Sequence, residues 1–197
     1  MIGNDIVDLK YAAKTSNWKR PGFLEKVFTE NEQTLISKAR NKDNIIWQLW
    51  SMKEAAYKCY LQDLGEPFFN PKKLECQWSC SILPAESLVI GTVSVFGKTY
   101  TTKSETTENY IHTLAFSETP QNIAKRTFPI LTENHSQQSE LVRTELFRYL
   151  RTEGDTQEKI SIAKDYNGIP RVFLKEKQIE VSISLSHHGN FGAYAIC

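Results

Sequence analysis

Apolar and polar positions alternate with one spacing in some stretches of this chain and another spacing elsewhere. Residues 2–9, IGNDIVDL, are a short apolar run that carries Asp5 and Asp8 and reads as a strand or turn. FLEKVFTENEQTLISKAR (23–40) contains a helix start: Thr29 can cap, and Glu32 three residues on completes a capping box. Residues 43–61 are the strongest helix candidate, and GEPFFNPKK ends them with Gly65, Pro67 and Pro71. From about 74 to 118 the pattern turns to strands, because LVIGTVSVFGKTYTT and ENYIHTLAFS alternate apolar with polar residues around a Gly-containing turn. Residues 119–136 read as a connector. Residues 138–152 predict a second amphipathic helix, with a stripe of Leu141, Val142, Leu146, Phe147, Tyr149 and Leu150. ISIAKDYNGIPRVFL then contains an Asn-Gly turn, and IEVSISLSHHGNFGAYAIC reads as a strand pair interrupted at His187–Gly192. Helix followed by strands, twice over, predicts an α+β fold of two similar halves, although no simple sequence repeat accompanies it.

Length and composition narrow the classes. A chain of 197 residues suits one domain or two small, tightly joined halves, and 40% hydrophobic with 24% charged residues is a globular composition. The formal net charge of +1 gives no overall basic field for nucleic acid and no acidic tail, and leaves room for a local basic pocket. No apolar run reaches the ~18 residues of a membrane span. The start, MIGNDIVDLK, has carboxylates where a signal peptide would be basic and then apolar, so the expected location is the cytoplasm. Four cysteines do not make a disulfide framework in a chain this long. CQWSC (76–80) lacks the second pair a zinc site needs, so the cysteines read as structural and reduced.

Three segments carry candidate chemistry. On the central helix, Trp47, Trp50, Glu54, Lys58 and Leu61 share one side. A fully solvated face would rarely hold two tryptophans and a leucine. As a surface ion pair, Glu54 and Lys58 would contribute only about 0.2–0.5 kcal/mol. Partly buried, they would have perturbed ionisation of the kind catalysis uses. Lys53 falls on the neighbouring stripe with Ile46, Trp50, Tyr57 and Tyr60. Asp5, following Gly3 and Asn4, is either a turn or cap residue or a metal ligand. With Glu54 it would offer the one or two carboxylates by which magnesium is commonly held, a nearby lysine meeting phosphate charge. In SISLSHHGN (182–190), Ser182, Ser184 and Ser186 face one way, and Val181, Ile183 and Leu185 the other. Hydroxyls and imidazoles at such a strand end suit a phosphate or nucleotide pocket. Ser-His adjacency by itself makes no catalytic dyad, and no Walker-type or dinucleotide glycine loop is present.

Taken in order, GNDIVDL (3–9), FLEKVFTENE (23–32), WSMKEAAYK (50–58), NGIP (167–170) and SISLSH (182–187) resemble the 4'-phosphopantetheinyl transferase superfamily. The W-x-x-K-E-x-x-x-K pattern is the most specific of them. The resemblance implies an enzyme that moves the phosphopantetheine arm of coenzyme A onto a serine of an apo acyl or peptidyl carrier protein, with magnesium as the usual metal and 3',5'-adenosine bisphosphate as the second product. It implies Asp5 and Glu54 as metal ligands. Glu54, directly or through a water, would take the serine proton, and Lys58 would stabilise or protonate the departing phosphate. Ser186 and His187 match the segment that contacts coenzyme A, the histidine near the 3'-phosphate, and Lys53 is a further phosphate contact.

The chain is longer than the small synthases of that family and nearer its two-half enzymes, but with the halves exchanged. The resemblance therefore implies a monomeric pseudodimer: residues 1–118 carry the metal and W-x-x-K-E motifs, and residues 119–197 the Ser-His strand. Three departures bear on it. Val7 stands where the larger enzymes often have a second acid. Ile169 replaces the lysine of a G-K-P turn, with Arg171 as a substitute on the opposite strand face. Arg143 is the candidate for a nucleotide-binding arginine. A non-catalytic relative that grips a carrier or coenzyme A, and a metal-dependent hydrolase using Asp5 and Glu54, are the competing readings.

Overall fold

The computed structural model describes residues 1–68, 70–79, 87–153 and 159–197; Cys80 of the CQWSC segment lies outside them. The fold is α+β with antiparallel sheets. Strand β1 (Ile2–Asp8) leads into helices α1 (Leu9–Thr15), α2 (Phe23–Val27), α3 (Glu30–Lys38) and the long α4 (Lys42–Leu64). Strands β2 (Glu75–Ser79), β3 (Ser87–Val95), β4 (Lys98–Thr106) and β5 (Tyr110–Phe116) follow, and with β1 make a five-stranded sheet in the order β1-β5-β4-β3-β2. After β6 (Ala124–Pro129) and α5 (His135–Glu153) come β7 (Ile160–Lys164), β8 (Pro170–Leu174), β9 (Lys177–Gln178), β10 (Ile183–His188) and β11 (Phe191–Ile196). These form the sheets β10-β11-β6 and β7-β8-β9.

Local chemistry sets the element ends. Thr29 N–H donates to Glu32 Oε2 at 2.8 Å while Glu32 N–H reaches Thr29 Oγ1 at 3.4 Å, the capping box expected from the sequence. Helix α4 begins under an Asn41 cap, and ends at Gly65, whose φ of +71° lets its N–H return to Leu61 O at 2.8 Å. Helix α5 starts three residues before the expected 138, because the Asn134 carboxamide accepts from Ser136 and Gln137 N–H. Strand β6 lies inside the stretch read as a connector. It is an edge strand with mostly exposed side chains, paired among the described residues to β11 alone, so it lacks the apolar alternation that marks a half-buried strand.

Helix α4 packs on β1 and β5 over a core that includes Val7, Ile46, Leu49, Met52, Ala55 and Ile111. Helix α5 packs on β10, β11 and β7 over Val142, Leu146, Ile160 and Ile183. A third cluster of Ile2, Leu114, Phe116 and Ala195 lies between them. The joint itself runs along the free edge of β1. Ile2 N–H donates to Ser182 Oγ and Asn4 N–H to Ser184 Oγ, each at 2.8 Å, and Asp8 N–H donates to His188 Nδ1 at 3.0 Å. The partners are always 180 residues apart, so β1 and β10 run side by side in the same direction. Gln62 Nε2 serves both Ile2 O (2.7 Å) and Ile183 O (2.9 Å). Side chains thus satisfy backbone groups that a strand ladder would otherwise pair.

Two buried ionisable features stand out. The Lys53 ammonium meets Glu32 Oε2 at 2.8 Å, with both side chains essentially inaccessible. It also donates to Pro71 O at 2.9 Å and to Leu74 O, and lies 5.7 Å from the Phe28 ring centre. The other Glu32 oxygen accepts from Cys76 N–H at 2.8 Å. Where the resemblance implies a phosphate contact for Lys53, its donors hold α3, α4 and the Pro71–Leu74 turn together. His112 on β5 is 1% exposed, and neither ring nitrogen has a partner among the described residues. Burial, with help from the charges of Lys125 and Lys58, pushes its pKa down to about 3.

Breaking the buried pair leaves an uncompensated charge, so Lys53→Met is expected to lower stability by about 3–5 kcal/mol in urea unfolding; a loss near zero would overturn the structural role. For His112 the folded pKa lies below the ordinary 6.5. Its neutral burial therefore stabilises fully above 6.5, and that stability is lost as pH falls toward about 3. His112→Leu should raise the thermal midpoint and shrink the wild-type loss of midpoint between those pH values. Parallel pH profiles for the two proteins would count against it.

Candidate active site

Close packing of α4 on β1 builds the site. A Cβ on Gly3 would collide with the Ala55 carbonyl and crowd Cys59 N, so only glycine lets the helix come this near the strand. One turn away on the helix, Glu54 and Lys58 then stand over Asp5. Lys58 Nζ donates to Asn4 O at 2.8 Å, to Asp5 Oδ1 at 3.4 Å and to Leu185 O at 3.5 Å, touching β1 and β10 together. The Lys58 side chain keeps 29% of its exposure and Asp5 13%, so the pair is partly shielded and not a solvated surface bridge. Asp8 faces away: its Oδ1 caps α1 through Tyr11 N–H, and its Oδ2 accepts from Asn190 N–H, both at 2.9 Å.

The carboxylates are electrostatically uncomfortable. Burial raises the Asp5 pKa, with Lys58 and Ser51 opposing the rise. Burial and then the charge of Asp5 push Glu54 up to about 7, with Lys58 again opposing. Asp5 Oδ2 is buried with no hydrogen-bond partner among the described residues. Two hard oxygen donors that repel each other, one of them with an orphaned atom, fit a divalent cation of the magnesium type. Among the described residues no group of three His, Cys, Asp or Glu side chains makes a complete protein cage.

Two hollows flank the pair. One is a cleft of about 260 Å³ between α4, α5, β10 and the β7–β8 turn. Lys58, His135, Arg143, Lys164 and His187 supply its cationic or titratable lining, and among the described residues no Asp or Glu lines it. Such a wall suits an anion. The other, of about 200 Å³, is mainly apolar and lies on the Glu54 side, between Trp50, Tyr57, Phe68 and Leu74.

His187 therefore faces the cleft. Burial, the adjacent His135 and Lys58 push its pKa down to about 4, so the ring is neutral before any anion arrives. Ser186 does not line the cleft. Its hydroxyl donates to Asn4 Oδ1 at 2.5 Å, and with 6% exposure it belongs to the β1–β10 joint. Arg171 is engaged with Asp165 at 3.0 Å and also stays out of the lining. Lys164, not singled out in the sequence, stands in the cleft instead, and Arg143 is there as well. His135 and Gln138 were also missed: His135 lies ahead of the helix start expected at 138, and Gln138 stands at that start with no local signal of its tertiary partners. Gln62, which bridges β1 and β10, could have been found from its place one turn beyond Lys58 on the same face. Cys59 and Cys76 are buried free thiols; burial raises Cys59 to about 12 and Cys76 well above the ordinary thiol value, which leaves both inert.

Comparison with known proteins adds one positive finding. No curated protein matches the chain. A family model, ACPS, described as the 4'-phosphopantetheinyl transferase superfamily, matches residues 1–115, a span holding Asp5, Glu54, Lys58 and the whole five-stranded sheet apart from its last residue, Phe116. That match covers more than half of the 197 residues, and the chain belongs to the 4'-phosphopantetheinyl transferase superfamily.

Proposed function

We propose that the protein transfers the 4'-phosphopantetheine group of coenzyme A to a serine of an apo acyl or peptidyl carrier protein, releasing 3',5'-adenosine bisphosphate. The observation that carries this reading is the Asp5–Glu54–Lys58 group set between an anion-suited cleft and an apolar hollow. The nucleotide end of coenzyme A would lie in the cleft, its phosphates meeting Arg143, Lys164 and His187. The acceptor serine would approach Glu54 from the side of Trp50 and Tyr57.

Asp5 and Glu54 would hold magnesium. Bound there, the ion neutralises the diphosphate and orients it for attack. Glu54 accepts the serine proton, directly or through a water, and burial keeps its basicity well above that of a free carboxylate. The serine oxygen forms a bond to the β-phosphorus as the bond to the bridging oxygen breaks. Lys58, fixed by two backbone carbonyls and Asp5, presents its ammonium to the departing phosphate. The two long helices, each laid on its own antiparallel sheet, support a reading as pseudo-twofold halves of a monomer, 1–118 and 119–197, in exchanged order. Among the described residues no helix is long and apolar enough to cross a membrane, and we place the reaction in the cytoplasm.

The decisive assay is mass spectrometry of several apo carriers incubated with coenzyme A, magnesium and the protein, read for the gain of one phosphopantetheine arm. Failure with every carrier would favour a binding relative, and phosphopantetheine released without a carrier would favour a hydrolase. Glu54→Gln and Asp5→Asn should each lower transfer by about 100-fold or more with folding intact. Lys58→Ala should reduce kcat more than it changes KM for coenzyme A, and His187→Ala the reverse.

A pH test is independent of activity. Because the folded pKa of Glu54 is raised from 4.5 to about 7, its contribution to stability is complete below 4.5 and is lost as pH rises through 7. Magnesium should therefore raise the thermal midpoint more at alkaline pH than at acid pH, relative to chelator. An equal rise at both, or none, would remove these carboxylates as its ligands.

A further inference from the structure

Gln138 is a buried amide, 7% exposed, in the first turn of α5. Its Nε2 donates to Thr132 O and to Gly189 O, each at 2.8 Å. Both amide protons are thereby committed to carbonyls. Reversing the amide would set Oε1 against those same two oxygens, so its orientation is fixed by the network. Oε1 then faces His187 Nδ1 at 2.9 Å and can only accept. Nδ1 must carry the proton. In the neutral ring this leaves a lone pair on Nε2; in the cation Nε2 becomes a second donor.

We propose that Gln138 is a positioning residue for the cleft: it fixes the tautomer and rotation of His187, so that Nε2 and not Nδ1 meets the phosphate of a bound nucleotide. The proposal rests on the reading of the cleft as the coenzyme A site. The groups facing the ring are His135 across from it, with ring centres 4.5 Å apart, Lys58 from α4, and His188 on its own strand. Arg143 and Lys164 share the cleft, and among the described residues no carboxylate lines it. Nothing in that lining favours a charged imidazole until an anion enters. With Nδ1 already held, the added proton has one place to go, the atom left for the cleft. The same amide ties the segment before α5 to the β10–β11 turn, which holds the ring's own strand at a set distance from the helix.

Nitrogen-15 NMR of the histidine-labelled full chain at about pH 7 reads the tautomer directly. The free protein should show His187 with a protonated Nδ1 and a bare Nε2; the opposite tautomer overturns the proposal with no variant needed. Gln138→Leu should lose this fixed tautomer and weaken binding of 3',5'-adenosine bisphosphate, measured by calorimetry, by about tenfold. Gln138→Asn keeps an amide but draws it back from the ring, and serves as a second variant with the same expectations should the leucine variant fail to fold. In a His187→Ala background the Gln138 change should cost no further affinity, since the group it acts through is gone. An undiminished loss there would mean that Gln138 only braces Thr132 and Gly189, and would overturn the proposal. A wild-type protein that does not bind the bisphosphate would sink the coenzyme A reading, while the tautomer would still decide the role of Gln138.

Discussion

The free edge of β1 is the constraint on which the rest of the molecule depends. A strand buried between two sheets must pair its outward N–H and C=O groups. Here the neighbouring β10 offers hydroxyls and an imidazole at every second residue, and α4 offers an amide and an ammonium. Ser182, Ser184 and His188 each accept from the β1 backbone. Lys58 and Gln62, one helical turn apart, each bond to a carbonyl on β1 and to one on β10. A side chain that holds the joint also borders the site, so assembly of the fold and assembly of the active centre are a single event.

The site concentrates an imbalance that the fold tolerates. Two carboxylates that burial pushes toward protonation share one lysine, and one carboxylate oxygen has no partner. Groups poised in this way cost stability and are useful for proton transfer and cation binding. The Lys53–Glu32 pair a turn away carries a similar burial but is fully answered by carbonyls and backbone N–H groups. Adjacent residues of the W-x-x-K-E segment thus differ: the first lysine is sealed into the framework, and burial and Asp5 push the glutamate beside it toward protonation.

Local signals in the sequence were read correctly where their cause was local. The Thr29–Glu32 box, the span of α4 and the alternation of β3 to β5 all follow from short-range chemistry. Tertiary partners decide what the sequence does not show. Lys53 and Lys58 differ by little more than one turn, and only the position of the Pro71–Leu74 turn shows which is enclosed. The serine period of β10 was seen, but its target was not, because Ser186 answers Asn4, almost the whole chain away. Strand β6 has no periodicity of its own and exists by pairing with β11. Lys164 entered the cleft, while Arg171, nearer the departure at Ile169, was taken up by Asp165.

The β1–β10 joint also sets a scale. The side chains that make it, Ser182, Ser184, Ser186 and His188, recur every second residue, so the two strands cannot slide past one another continuously. A slip of one residue would turn Val181, Ile183 and Leu185 toward the β1 amides, which no aliphatic group can satisfy. A slip of two would restore hydroxyls to some amides but move the strand by about 6.6 Å, the advance of two residues in a parallel arrangement. His187 would then no longer share a cleft with Lys58. The alternation of serine and aliphatic residues therefore works as a vernier: the separation between the carboxylate pair and the His187 wall of the cleft is written into the spacing of hydroxyls along one strand.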